Sequence, residues 1–468
     1  MKSVYKSINK EFAMNNRTFI SFRKIIPAFF IFTISLISLI AREDRLYTGW
    51  ALADITPPEP VALTGNLSKR ISEGVHDPLN AIVLAIETRD GNSRKEQAIM
   101  VSCDLLFIRA QTQKKLQVII AERIPDFDAS KLFLNATHTH SGPGLIDGEF
   151  FGLYDVSEDE GVMLPSGYEA FFLEKTADAV VKAWKNRKPG GFSWGLGNAV
   201  LAHNRRTVKF DGTARMYGVN DQDFSHYEGT QDDRVQMLFF WDTNKSLTGI
   251  VINTAATAQA GGAGGKISAD FFHEARQTIK EKYGEDIFVF FQVGAAGDLT
   301  PVVHEYTYRR AENIMLNRKG ITFRQELANR LLHAVDEVMP YVKDDIEYNP
   351  IFKHTVAKVD LPVIEPPATP FYMVDDVTPA EIHVLRLGDI AIASNPFELF
   401  IDYGILIKAQ SKAVMTLIVQ LSCHHSGYLP TERAAEGGGY SADKYLVGPE
   451  GGYKLVNETV TLINEMWE

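Results

Sequence analysis

Two histidines set two residues apart, His138 and His140, lie in the stretch Leu132–Gly144, LFLNATHTHSGPG. Its first half is apolar, as a buried strand requires, and its second half ends in a Ser-Gly-Pro-Gly turn. Side chains alternate across an extended chain, so imidazoles two apart project to one side. A strand that delivers two imidazoles to one spot and then stops at a glycine-rich turn can build a metal or acid/base site. The same residues also read as the polar end of a strand, bonded to nearby backbone. The stretch alone leaves both readings open.

Other segments carry groups of comparable promise. Asn204-Arg205-Arg206 precedes a hairpin-like turn at Asp211-Gly212. An arginine that reaches a cavity holds a carboxylate or an oxyanion; otherwise the pair lies on the surface. In ISADFFHEARQTIKEKYG, Ser268 reads as a helix N-cap with Asp270 in the first turn, and His273 lies close to the preceding small-residue loop. Asp298 and Thr300 fall in GAAGDLTP, after a buried strand, where α/β sheets place ligands. That loop lacks the Gly-Lys-Ser/Thr of a phosphate cradle. Glu398, in PFELFIDYG, reads as a first-turn residue of a helix beginning near Pro396, either compensating its dipole or pointing into a site. A strand followed by His424-His425-Ser-Gly-Tyr428 repeats the design of the opening stretch, and Tyr440 sits in a glycine-rich loop beyond it.

The elements that must position these groups alternate strand, helix and strand, which is α/β in character. No repeat, low-complexity tract or long linker divides the chain. The expectation is one large domain, residues 45–468, with mixed central β-sheets flanked by helices. The acidic segment 145–167 reads as a surface loop or lid. At 468 residues, with 45% apolar and 23% charged side chains and a net charge of −11, the composition is that of a globular protein and argues against a nucleic-acid binder. Cys103 and Cys423 are the two cysteines, too few for a thiolate cluster, and read as small buried residues. At the N-terminus, Lys2, Lys6, Lys10, Arg17, Arg23 and Lys24 precede the apolar run Ile25 to Ala41. Residues 1–44 therefore read as an export signal or membrane anchor, with the protein periplasmic, secreted or membrane-associated.

Taken in order, NATHTHSGPG, the HNRR segment, ISAD, GAAGDLTP, PFE and SGYLPTE…GGGY resemble the catalytic domain of the neutral/alkaline, non-lysosomal ceramidases. The resemblance covers roughly Gly49 to the C-terminus. It implies a Zn2+-dependent hydrolase that cleaves the N-acyl amide bond of a lipid. By the same resemblance, His138, Glu398 and Tyr428 are metal ligands, His140 is a catalytic neighbour, and Arg205 and Tyr440 face the scissile amide. Thr300 falls where the family has a serine proposed as nucleophile; apart from the resemblance, Asp298 on its strand-end loop is a candidate to orient a histidine. Two departures stand out. The family's second zinc histidine has no counterpart in NTAATAQAGG, where Ala256, Thr257 or Ala258 occupies its place, so His273 becomes a replacement candidate, with His424 and His425 behind it. The family's additional C-terminal β-domain also finds no match. Two alternatives follow: a related hydrolase acting on a non-sphingolipid amide or ester, and a non-catalytic binding protein that has lost the metal.

Overall fold

Segments such as NAIVLAIETRD, RVQMLFFWD and FVFFQV are apolar on both faces, and nearly every residue in them is buried. Strands of this kind belong to a sheet covered on both sides. The computed structural model describes residues 45–364 and 379–468, apart from Asn92 and Lys444. The N-terminal segment read as a signal or anchor lies outside them. Among the described residues, no helix is long and apolar enough to cross a membrane.

The main sheet has eight strands, in the order Phe288–Val293, Leu247–Thr254, Arg234–Asp242, Lys188–Asn198, Arg45–Asp54, Asn80–Asp90, Ser93–Cys103 and Leu132–Ala136. Its centre is antiparallel, whereas the outermost pair at each end is parallel. Parallel neighbours require a crossover. Helix Ala110–Arg123 supplies one, and Phe271–Tyr283 the other. A second sheet, Phe352–Val359, Ala380–Leu387, Ile390–Ser394 and Met415–Val419, packs over one face. Trp50, Leu84, Phe240, Phe290, Leu385 and Leu417 fill the layer between. Helices Pro165–Lys185 and Phe323–Val342 bury their apolar stripes elsewhere on the large sheet. The mixed α/β class expected from the sequence is the one observed.

The two edges of the large sheet meet. Ser102 Oγ donates to the Phe291 carbonyl at 2.6 Å, and Asn135 Nδ2 reaches the same oxygen at 3.4 Å. Asn253 and Gln236 donate to the carbonyls of Ile418 and Thr416 at 2.7 Å, tying the second sheet's last strand to the first sheet. The C-terminal ends of Leu132–Ala136, Phe288–Val293, Ile390–Ser394 and Met415–Val419 thereby open onto one region.

Several local readings change. Asp270, not Ser268, caps helix Phe271–Tyr283; its side chain accepts from the Phe271 amide, and Ser268 Oγ instead donates to Asp77. Strand Ser93–Cys103 is followed by a buried loop, residues 104–108. The helix expected near Pro396 begins at Ile401.

Asp104, at the mouth of that loop, is fully buried. It accepts from Arg276 Nη1 and Nη2 at 2.7 and 2.8 Å, from the Asn80 amide at 2.9 Å, and from Thr137 Oγ1 at 3.2 Å. Removing one partner of a buried pair leaves an uncompensated charge. Arg276→Ala is expected to lower the unfolding free energy by about 3–5 kcal/mol. Urea denaturation measures this; a loss below about 1 kcal/mol would show that Asp104 is held without its arginine.

Candidate active site

The histidine pair leaves its strand before it converges. The strand ends at Ala136, and His138 adopts the left-handed region, with φ 65°. Its amide donates to the Leu105 carbonyl at 2.9 Å and its Nδ1 to the Leu106 carbonyl at 2.8 Å. A protonated Nδ1 leaves the Nε2 lone pair free. His140 Nε2 lies 3.4 Å from His138 Nε2, so the rings do meet, through a kinked loop and not through strand alternation. The His140 ring rests on Gly65, whose φ is 86°; a β-carbon there would stand 2.6 Å from His140 Cγ. Burial, reinforced by His138, lowers the His140 pKa to about 3, so its imidazole is neutral at physiological pH.

Glu398 lies in the short extended piece Glu398–Leu399, paired in parallel with Tyr428–Leu429, so the carboxylate and the phenol stand in register. Its Oε2 is 3.4 Å from His138 Nε2, and its Oε1 is 3.3 Å from His425 Nε2. Burial alone would raise this carboxyl, but the imidazoles of His138 and His425 outweigh it and hold the pKa well below the carboxylate range. Gly297 permits this arrangement, since a β-carbon there would meet the Glu398 carbonyl at 2.3 Å.

Arg205 is buried. Its Nη2 donates to the Gly297 carbonyl at 2.8 Å and to the Tyr428 hydroxyl at 3.2 Å, and the Tyr440 hydroxyl is 3.5 Å from that of Tyr428. Burial opposes its charge, yet Tyr428, Tyr217, Tyr440 and Glu398 push its pKa up, so the guanidinium is a fixed cation.

His138, His140, Glu398, Tyr428 and Tyr440 thus line one cleft, together with His425, Leu106 and Phe107. Its outer wall is apolar, from Leu67, Phe150, Leu153 and Tyr154. The segment read as an acidic lid supplies the last three, while its Glu149 turns away to pair with Arg109 at 2.6 Å.

Three expected residues stand elsewhere. His273 lines a separate cavity with Pro78, Asn80 and Lys280. Thr300 pairs with His203 in a two-stranded ladder. Asp298, pushed up to about 6 by burial, accepts from Asn204 Nδ2 at 2.7 Å and from the Ile401 amide at 2.8 Å. Its carbonyl receives the Arg205 amide at 2.9 Å, so Asp298 positions Arg205 without lining the cleft.

The loop that lacks a histidine still reaches the site. Ala258 is buried, its backbone amide bonded to the Thr137 carbonyl at 3.0 Å, and the Gln259 side-chain Nε2 donates to His140 Nε2. Gln259 and Phe107 were not anticipated. Phe107 stacks on His425 at 4.5 Å, with Arg109 4.3 Å above its other face. Nothing in the run LLFIRA distinguishes such a ring from core.

Facing groups at the cleft floor are mainly acceptors: the His138 Nε2 lone pair, the Glu398 carboxylate and the Tyr428 oxygen. Nitrogen and oxygen donors of this kind suit a borderline divalent cation such as zinc.

No family model matches the chain. A neutral ceramidase of Pseudomonas aeruginosa is 27% identical over 228 residues, 46% of this chain and 31% of that protein, so the chain spans about a third of the length of this curated relative. The solved neutral ceramidase from Pseudomonas aeruginosa superimposes with a TM-score of 0.67 at 18% identity, covering 90% of this chain and 75% of that one. A ceramidase complexed with C2 gives 0.66 at 16% identity, covering 91% and 76%. The structural likeness establishes the shared fold, and over 228 residues the sequence is similar to that of a neutral ceramidase.

Proposed function

We propose that this chain is a metal-dependent hydrolase that cleaves an N-acyl amide bond of a lipid, the ceramidase reaction or a close variant. The observation that carries the reading is the convergence of His138, Glu398, Tyr428 and Tyr440 on one cleft floor beneath an apolar wall, with Arg205 bonded to Tyr428 behind it. An amide carbonyl is weakly electrophilic and its amine leaves poorly, so catalysis must address both. His138, Glu398 and Tyr428 would hold the ion, with His425 beside Glu398 in the role that a second histidine plays in the family. Zinc, when bound, supplies Lewis acidity and lowers the pKa of water.

The protein's own groups do the rest. The fixed charge of Arg205, 3.2 Å from the Tyr428 oxygen, favours the phenolate form of that tyrosine and stabilises negative charge nearby. Tyr440 donates its hydroxyl to the oxyanion that develops on the substrate carbonyl. Attack of water on the carbonyl carbon releases a proton that must reach the nitrogen as the C–N bond breaks; His140, whose Nε2 lies beside His138, would relay it once the Gln259 side-chain amide gives way. A carboxylic acid and a free amine result. Leu67, Phe150, Leu153 and Tyr154 suit an acyl chain entering from outside.

Replacement of the expected histidine by the Ala258–Gln259 pair favours a second reading, a binding protein that has lost turnover. A panel of N-acyl lipids, N-acyl amino acids and esters, assayed with and without chelator, separates the two. Chelator-sensitive amide cleavage is expected; an inert protein that still binds N-acyl lipid would support the second reading. His138→Ala is expected to lose metal and turnover together, and retained activity in that variant would refute the site.

Arg205→Ala is expected to lower kcat about 10²–10³-fold, the range for loss of one preorganised oxyanion donor. A change confined to KM would move Arg205 from catalysis to substrate binding. We also propose export, on the basic cluster and apolar run of residues 2–41. Cell fractionation with N-terminal sequencing tests it, and intact protein in the cytosol would overturn it.

A further inference from the structure

A second group of metal-ligating side chains lies away from the cleft and plays no part in the chemistry above. Glu381 and His383 stand two apart on strand Ala380–Leu387, so both side chains leave it on the same side. Cys423, buried, follows strand Met415–Val419. One ligand atom of each lies within 4.8 Å of those of the other two. None of the three lines the cleft of His138.

The hydrogen bonds fix what these groups present. His354 Nδ1 faces the Gln97 carbonyl at 3.2 Å and must donate to it, which leaves its Nε2 as an acceptor. His383 Nδ1, 3.0 Å from that Nε2, must then carry a proton. The remaining nitrogen, His383 Nε2, offers a lone pair toward Glu381 Oε1 at 3.3 Å. Two acceptors therefore face each other beside a thiol, and a cation resolves the conflict. The His354–His383 contact is the outer support that orients metal-bound histidines.

We propose that Glu381, His383 and Cys423 form a second, structural site for a divalent transition metal ion of the zinc class. Sulfur, imidazole and carboxylate together select such an ion over magnesium or calcium. Binding releases the thiol proton, and the side chain of Glu381, 26% exposed, gives both proton and ion a route to solvent. The consequence is mechanical. Leu421 and Cys423 both hold positive φ, at 53° and 63°, and the same turn carries His425 to Glu398 two residues later. A metal–sulfur bond at Cys423 clamps that strained turn to strand Ala380–Leu387.

Cobalt titration of the purified full chain tests this, because the groups assigned to the cleft contain no sulfur. Co2+-loaded wild type is expected to show thiolate-to-cobalt charge-transfer absorption in the near ultraviolet. The band should survive His138→Ala and Cys103→Ser, disappear in Cys423→Ser, and weaken in His383→Ala. Metal content should fall by one equivalent in Cys423→Ser. A folded, Co2+-loaded wild type without the band would overturn the proposal and leave a proton shared between Glu381 and His383. That spectrum decides even where a variant fails to fold.

Discussion

Asp104 is the fixed point from which the cleft is built. Its carboxylate takes both Arg276 nitrogens, the Asn80 amide and the Thr137 hydroxyl, which joins a crossover helix, two neighbouring strands and the loop of the histidine pair. A buried charge with this many donors leaves its surroundings little freedom to shift, because displacing any donor exposes an unsatisfied group. The next two residues supply the carbonyls of Leu105 and Leu106, which hold the backbone and ring of His138. The orientation of one imidazole thus traces back to an ion pair that never touches the cleft.

Gln420 performs the parallel task on the facing wall. Its side-chain Oε1 accepts the backbone amides of Ala296 and Leu399, at 3.1 and 3.2 Å, and its backbone amide donates to the Val293 carbonyl at 2.9 Å. The loops after three strands are pinned by one side chain, which places Glu398 and Gly297 in contact range of Arg205 and Tyr428. Strand ends alone do not make a site; the cross-links between them set its dimensions.

Period and composition made the strands and helices legible, because a run such as NAIVLAIETRD declares its burial through apolar residues on both faces. His138, Glu398, Tyr428 and Tyr440 were legible through their motifs, since residue types at fixed offsets survive in one dimension. Local φ was not. His138 looks like a strand residue and is left-handed; Glu398 looks like a helix residue and is extended, because the Gly427 carbonyl takes its amide across the sheet. Gln259 and Phe107 were illegible because their partners, His140 and His425, are distant in sequence. His273 misled for the same reason: proximity along the chain to the altered loop did not translate into proximity in space.

Several of the non-glycine residues with positive φ lie on these loops. His138, Asp270, Leu421 and Cys423 all hold positive φ without being glycine, at about 1–3 kcal/mol each. Asp270 offsets its share by accepting the amides of Ala260, Gly261 and Phe271, which shapes the loop that sends Gln259 toward His140. His138 offsets its share through Leu105 and Leu106. Leu421 donates its amide to the Phe397 carbonyl at 3.4 Å and accepts the Ala136 amide at 3.2 Å, and the Cys423 amide donates to the Leu134 carbonyl at 3.0 Å. That turn leads on to His425, and its Cys423 belongs to the proposed second ligand group with Glu381 and His383. In the proposed clamp, the sulfur ligand would favour a zinc-class ion over magnesium or calcium.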